Sequence, residues 1–233
     1  MSGHSKWSNI KNKKAANDAA KGSVFTRMAK NIALAVKKGG SIADPAMNFA
    51  LRLAVEKARS VNMPKENIDR AIDKGMGKGG SELVELTIEA FGPDSTMVVV
   101  ELVTDNRNRS VAEIRTIIEK YGGRMGEQGS VMYLFDQVGI VRIVGNISDE
   151  LELELIDVGM IDMEQDGENT VIYTRVDGMH EVITKLQAAS FVTDGGIGYR
   201  PKTKIAVNDH EAVESFIEHV SAYDDVQEIY ANI

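Results

Sequence analysis

Cysteine is absent from the 233 residues, which excludes disulfides, zinc ribbons and thiolate catalysis. Histidine is scarce. The four, His4, His180, His210 and His219, never stand three or four residues apart, so no helical metal pair exists. No apolar run approaches the roughly 18 residues of a membrane helix. The opening Met1–Trp7 holds no apolar stretch that could serve as a signal peptide. A G-x-S-x-G elbow and a Walker A run are both missing. Gly75, Gly77 and Gly80 satisfy G-x-G-x-x-G, but they follow a helical pattern where a dinucleotide site needs a strand. The carboxylates show no spacing that singles out a pair for acid–base work. The expectation is a chain with no catalytic residue, no metal, no cofactor, no small-molecule substrate and no membrane partner.

What is present is ordinary globular material, 43% hydrophobic and 27% charged, with an uneven charge distribution. The net charge of −8 conceals a basic front and an acidic body. Residues 1–80 carry 16 Lys+Arg against 6 Asp+Glu, and residues 81–233 carry 11 against 29. Within the first 38 residues nine cations face one acid, Asp18. Such an asymmetry points to a polyanion-binding module joined to an acidic body. The competing reading is a basic surface kept for solubility.

The chain falls into three regions. After a polar, basic opening, Ser23 is expected to cap a helix that runs to Lys38 and stops at Gly39-Gly40. Phe25, Met28, Ala29, Ile32, Ala33 and Val36 share its apolar face, the cations share the opposite one, and Leu34 is the misfit among them. Asp44-Pro45 reads as the start of a second helix with Met47, Ala50, Leu51, Ala54, Ala58 and Val61 as its buried stripe. Pro64 starts a third, ended by Gly75. Beyond residue 80 strands dominate: Leu83–Phe91 and Met97–Val103, joined by Gly92-Pro93-Asp94-Ser95. Ser110 and Glu113 form a capping box for a helix over Val111–Tyr121. A strand is expected near Ser130–Phe135. Residues 138–201 then read βαββαβ, the ferredoxin-like pattern, with Gly195-Gly196-Ile197-Gly198 as a turn. A short strand at Lys204–Val207, a helix at Glu211–Tyr223 and a strand at Val226–Tyr230 complete what began at residue 81. The predicted class is α+β. A three-helix domain (1–80) precedes an α/β domain (81–136 with 203–233), into which a ferredoxin-like domain (137–202) is inserted.

Candidate nucleic-acid contacts follow from the charge. Lys6, Lys11, Lys13, Lys14, Lys21, Arg27, Lys30, Lys37 and Lys38 are all the cations of the first 38 residues, and lysine meets phosphate as a mobile point charge. Trp7, the only tryptophan, lies inside this run, where an indole can stack on an unpaired base or anchor the arm to the helices. Arg107 and Arg109 form a smaller cluster beside Asp105, which can pair with either.

The same residues carry a family resemblance. Gly3-His4-Ser5-Lys6-Trp7-Ser8-Asn9-Ile10-Lys11, Phe25-Thr26-Arg27, the run over Asn48–Lys57, Asn62–Ile68, Glu89-Ala90-Phe91-Gly92-Pro93 and Thr104–Arg109 closely resemble the YebC/PmpR family. Gly122-Gly123, Gly129-Ser130-Val131 and Phe135 continue the match, and the acidic part after residue 138 is looser. The resemblance implies a helical first domain, two ferredoxin-like domains, and gene-expression control through DNA or ribosomal RNA. Bacterial members are described as DNA-binding regulators and have been linked to translation on the ribosome, and mitochondrial relatives are translational activators. The motif begins at residue 3, from which a bacterial cytoplasmic protein is expected. The residues themselves leave DNA and RNA open, with a lean toward RNA because the acidic body is repelled by a long duplex. A protein-interaction module, with the acidic domain as partner surface and no nucleic acid, is the remaining alternative.

Overall fold

The computed structural model describes residues 18–78 and 82–233, and side chains from residue 22 onward. Three helices come first: α1 (Asp18–Lys38), α2 (Phe49–Ser60) and α3 (Lys65–Gly75). Ile32, Val36, Leu51 and Ala58 are fully buried between them, with Met28, Val55, Met63, Ile68 and Ala71 around them. Each large side chain so buried contributes about 1.5–3 kcal/mol. Gly75 is required here, because a Cβ would stand 2.6 Å from the Ala33 carbonyl and 2.7 Å from Val36 Cβ.

Two helix starts differ from expectation. Ser23 lies inside α1, because Asp18-Ala19-Ala20-Lys21 extends the helix upstream. Its hydroxyl donates instead to Asp224 Oδ1, 2.8 Å away. Asp44-Pro45 makes only a single turn, in which Ala46 N–H donates to Asp44 Oδ1. The cap of α2 is Asn48, whose Oδ1 accepts from Leu51 N–H at 3.0 Å while its Nδ2 donates to the Ala35 and Ile42 carbonyls. That shift of register turns Met47, Ala50 and Val61 outward and Val55 inward.

The first sheet has the order β3-β1-β2-β8, built from β1 (Val84–Phe91), β2 (Met97–Thr104), β3 (Arg124–Met125) and β8 (Val226–Ala231). β1 and β2 form a hairpin in register Val84↔Thr104 to Phe91↔Met97, and the final strand β8 pairs antiparallel with β2. Helices α4 (Arg107–Lys120) and α7 (His210–Ser221) bring Ile114, Ile118 and Phe216 into this core. The start of α4 is another correction. Asn106 caps it, accepting from Arg109 N–H at 3.1 Å, and Ser110 is a buried residue of its first turns. The Ser110 hydroxyl serves a tertiary network, so no capping box forms.

The second sheet, in order β5-β6-β4-β7, holds β4 (Phe135–Val144), β5 (Met160–Asp166), β6 (Asn169–Thr174) and β7 (Asp194–Pro201), with α5 (Asp149–Asp157) and α6 (Met179–Ala188). The expected strand near Ser130–Phe135 is a short 3-10 turn (Met132–Leu134) leading into the long β4. Gly195-Gly196-Ile197-Gly198 is not a turn: it lies in β7 and pairs with β4. A Cβ at Gly195 would come within 3.1 Å of Ile183 Cδ1, so glycine there lets α6 lie close on the sheet. Lys204–Val207 is not a strand, and the Ile205 N–H donates to the Asn232 carbonyl at 2.8 Å. The described chain divides into two compact units, one of residues 135–202 and the other of residues up to 134 with those from 203.

Candidate nucleic-acid interface

Besides Lys21 near its start, the cations of α1 fall at Arg27, Lys30, Lys37 and Lys38, with Leu34 between them. Spacings of three and four place them along one stripe of the helix. The stripe faces the first sheet. Leu34 and Ala33 pack against Leu83 and Val103, which accounts for the misfit: α1 buries a second face.

Around that apolar contact every described cation of the stripe meets an oxygen of the same unit. Arg27 Nη2 donates to the Ser221 carbonyl at 2.9 Å. Burial lowers the Arg27 pKa, an effect opposed by nearby Glu228 and Asp224. Lys30 Nζ is bonded to the Asp225 carboxylate and, at 3.1 Å, to the Asp224 carbonyl. Lys37 pairs with Glu82 at 2.5 Å and Lys38 with Glu85 at 2.6 Å. From α2, Lys57 lies 3.6 Å from Glu228.

Asp225 is the hub. Its side chain is 6% exposed. Besides Lys30 it accepts from the Ser110 hydroxyl at 2.5 Å and the Tyr223 hydroxyl at 3.1 Å, and Arg109 stands 3.5 Å away. Burial raises its pKa, but the bonds from Lys30 and Ser110 and the Lys30 charge outweigh it and hold the carboxyl at about 2. Arg109 also pairs with Asp105 at 3.1 Å, while Arg107 points into solvent. Lys6, Trp7, Lys11, Lys13 and Lys14 lie outside the described residues, as does the side chain of Lys21.

Comparison with known proteins fits this arrangement of helices and two sheets. Residues 5–78 match the model of the TACO1/YebC protein N-terminal domain, and residues 83–233 match that of the TACO1/YebC second and third domain. The chain belongs to the TACO1/YebC family. A relative from Thermoanaerobacter pseudethanolicus, called a probable transcriptional regulatory protein, is 42% identical over 100% of this chain and 97% of its own length. The probable transcriptional regulatory protein YrbC of Bacillus subtilis is 40% identical over 100% of this chain and 99% of its own. Among solved structures, a conserved hypothetical protein from Aquifex aeolicus superposes with a TM-score of 0.83 at 34% identity, covering 92% of this chain and 90% of that one.

In this TACO1/YebC chain the acids that meet α1 had no sequence motif. Asp224-Asp225 and Glu228 form only a short acidic doublet and a neighbour before and within β8. Glu101 on β2 was equally silent. It lies opposite Glu228 in the sheet and accepts from the Tyr230 hydroxyl at 3.1 Å. Burial pushes its carboxyl up to about 7, the Tyr230 bond opposes that, and Glu228 and Glu85 add to it. His219 is half-buried and stacks on Tyr121 with ring centroids 3.8 Å apart. Among the described residues no cluster of three His, Asp or Glu could hold a metal ion, and no helix is long and apolar enough to cross a membrane.

Proposed function

We propose that this protein is a non-catalytic, nucleic-acid-associated regulator of gene expression that reaches phosphate with the basic segment preceding α1. The observation that carries the reading is the concentration of nine cations against one acid in the first 38 residues. Arg27, Lys30, Lys37 and Lys38 are engaged by Ser221, Asp225, Glu82 and Glu85 of the same chain. The reading assigns phosphate to Lys6, Lys11, Lys13, Lys14 and Lys21, and base stacking to Trp7. The names of the relatives, probable transcriptional regulatory proteins, support control of gene expression.

The acidic body bears on the choice of ligand. Residues 81–233 carry 29 acids against 11 cations, so a long duplex lying along them is repelled. A structured or single-stranded RNA met only by the basic segment avoids that repulsion. Fluorescence anisotropy on single-stranded RNA and duplex DNA across a salt series tests the reading. Replacing Lys11, Lys13 and Lys14 by Ala lowers the log–log salt slope by about two, since each phosphate contact contributes roughly 0.7–0.9. Trp7→Ala weakens single-strand binding by roughly 1–3 kcal/mol with the slope unchanged. A slope unaltered by the triple substitution overturns the assignment. A second reading, a protein-interaction module without nucleic acid, draws on the same internal pairing of basic helix and acidic sheet, and no binding to either ligand would favour it.

A further inference from the structure

The edge of the first sheet is left unfinished beside α4. β3 pairs with β1 only at Ala90↔Met125 and Phe91↔Arg124, and one further bond, Gly126 N–H to the Glu89 carbonyl, closes the ladder. Because Glu89 turns its backbone toward β3, the period of two directs the N–H and C=O of Thr87 to the same side. Among the described residues nothing pairs with them there. An open edge of this kind is a template for an added strand.

The space a longer β3 would have covered is a shallow groove floored by Ile88, Val111 and Met125 and rimmed by Arg107 and Arg115. Ile88 and Met125 lie on the sheet face that carries α4, so a strand continuing the line of β3 would point alternate side chains into this groove. No acidic residue lines it, and neither Arg107 nor Arg115 has an ion pair among the described residues, unlike Arg109 one position along. Eight residues of helix separate the two arginines by about 12 Å. Four residues of strand span about 13 Å. A strand with acids at the first and fifth positions and an apolar residue at the third would therefore meet both guanidinium groups and the apolar floor together.

We propose that the groove between α4 and the open edge of β1 docks an extended acidic segment of another protein, which adds as a strand in line with β3 and sets carboxylates against Arg107 and Arg115. The main-chain bonds supply affinity, and the arginine spacing supplies selectivity. This site is independent of the basic segment before α1 and stands whether or not that segment binds nucleic acid.

The probe is a labelled synthetic peptide of about eight residues, an ordinary strand length, whose one face reads glutamate, valine, glutamate at alternate positions. Anisotropy with the full chain should show saturable binding, and a peptide with lysine for glutamate should show none. Combining Arg107→Glu with Arg115→Glu should weaken binding about tenfold or more. Thr87→Pro, which removes an outward N–H that an edge strand does not need for folding, should do the same. In the unaltered protein the peptide should slow hydrogen exchange of the Thr87 amide, a readout that needs no variant. Absence of saturable peptide binding overturns the proposal. Sensitivity to the arginines without protection of Thr87 also overturns it, as mere charge attraction. Loss of labelled oligouridylate binding on the same arginine reversal, with no peptide bound, would make the groove a nucleic-acid site instead.

Discussion

Lys30 of α1 and Asp225 before β8, 195 residues apart in the chain, form a buried ion pair that ties the helix to the first sheet. The pair holds because Asp225 is already hydrogen-bonded by Ser110 and Tyr223, so its remaining oxygen lone pairs are satisfied when the lysine closes over it. A buried carboxylate stripped of its cation is costly, about 3–5 kcal/mol for a fully buried pair. Ser110, Tyr223 and Arg109 would remain, so Lys30→Ala should destabilise the protein by about 2–3 kcal/mol. Urea unfolding of the full chain measures this, and a change under about 0.5 kcal/mol would show that the pair is not a structural tie.

Asp225 also gives the junction an acid limit. Its folded pKa of about 2 lies below the ordinary value, so its contribution is present above pH 4 and is lost as pH falls toward 2. Asp225→Asn should remove that contribution, of order 1–2 kcal/mol, at pH 7 and leave the difference from the parent smaller at pH 2.5. Thermal melts at the two pH values decide it.

Glu101 works in the opposite sense. Its pKa is raised to about 7, so the folded state holds a proton that the unfolded chain releases near pH 4.5. Stability then falls as pH rises from about 4.5 to 7 and is level above that. Lys38, Glu85, Glu228 and Tyr230 are the charged and titratable groups acting on it. Glu101→Gln keeps the shape without the charge. It should raise stability by about 1–2 kcal/mol at pH 8 and change it by less than about 0.5 kcal/mol at pH 4.5. Equal effects at both pH values would remove Glu101 as the titrating group.

Local signals were legible, and tertiary ones were not. The Leu/Glu alternation over Asp149–Val158 has a strand period, yet the βαββαβ context reads it as a helix, and α5 is there with Ser148 as its cap. The oddity of Leu34 was visible without its cause, since an amphipathic pattern reports that a face is buried and never against what. Ser110 and Asp44 carried correct local chemistry for caps and lost the position to Asn106 and Asn48. In each case an asparagine was better placed: Asn48 alone satisfies two further carbonyls as it caps. The partners of the basic stripe lay near positions 82–85 and 221–228, beyond the reach of any spacing rule, so a face that read as free for phosphate is one that pairs at home.

Glu89 offers a further check on what the sequence concealed. It is 6% exposed, and its carboxylate accepts from the backbone N–H groups of Gly129, Val131 and Met132 at 2.5, 2.6 and 2.7 Å. These bonds shape the turn between β3 and β4. Glu89→Ala would leave three donors without an acceptor, at about 1–3 kcal/mol for each one left buried. A total loss of about 3 kcal/mol is expected, with hydrogen exchange at Val131 and Met132 accelerated far more than in β2. Uniform acceleration across the sheet would show global unfolding and no local role for the carboxylate.

The division of cations makes one more distinction that binding can read. If phosphate meets only the segment before α1, then Lys37 and Lys38 are neutralised in the free and bound states alike, and few counterions are released at them. Lys37→Ala with Lys38→Ala should leave the salt slope within about half a unit of the parent, whereas the substitution of Lys11, Lys13 and Lys14 lowers it by about two. Removing the partners instead, with Glu82→Gln and Glu85→Gln, frees both lysines for phosphate. Binding should then strengthen and the slope should steepen by about one to two. Because Lys37–Glu82 and Lys38–Glu85 are exposed pairs that add little to stability, these variants stay folded and the comparison is clean. A slope that falls on losing Lys37 and Lys38 would mean that nucleic acid competes Glu82 and Glu85 away, and that α1 opens from the sheet when it binds.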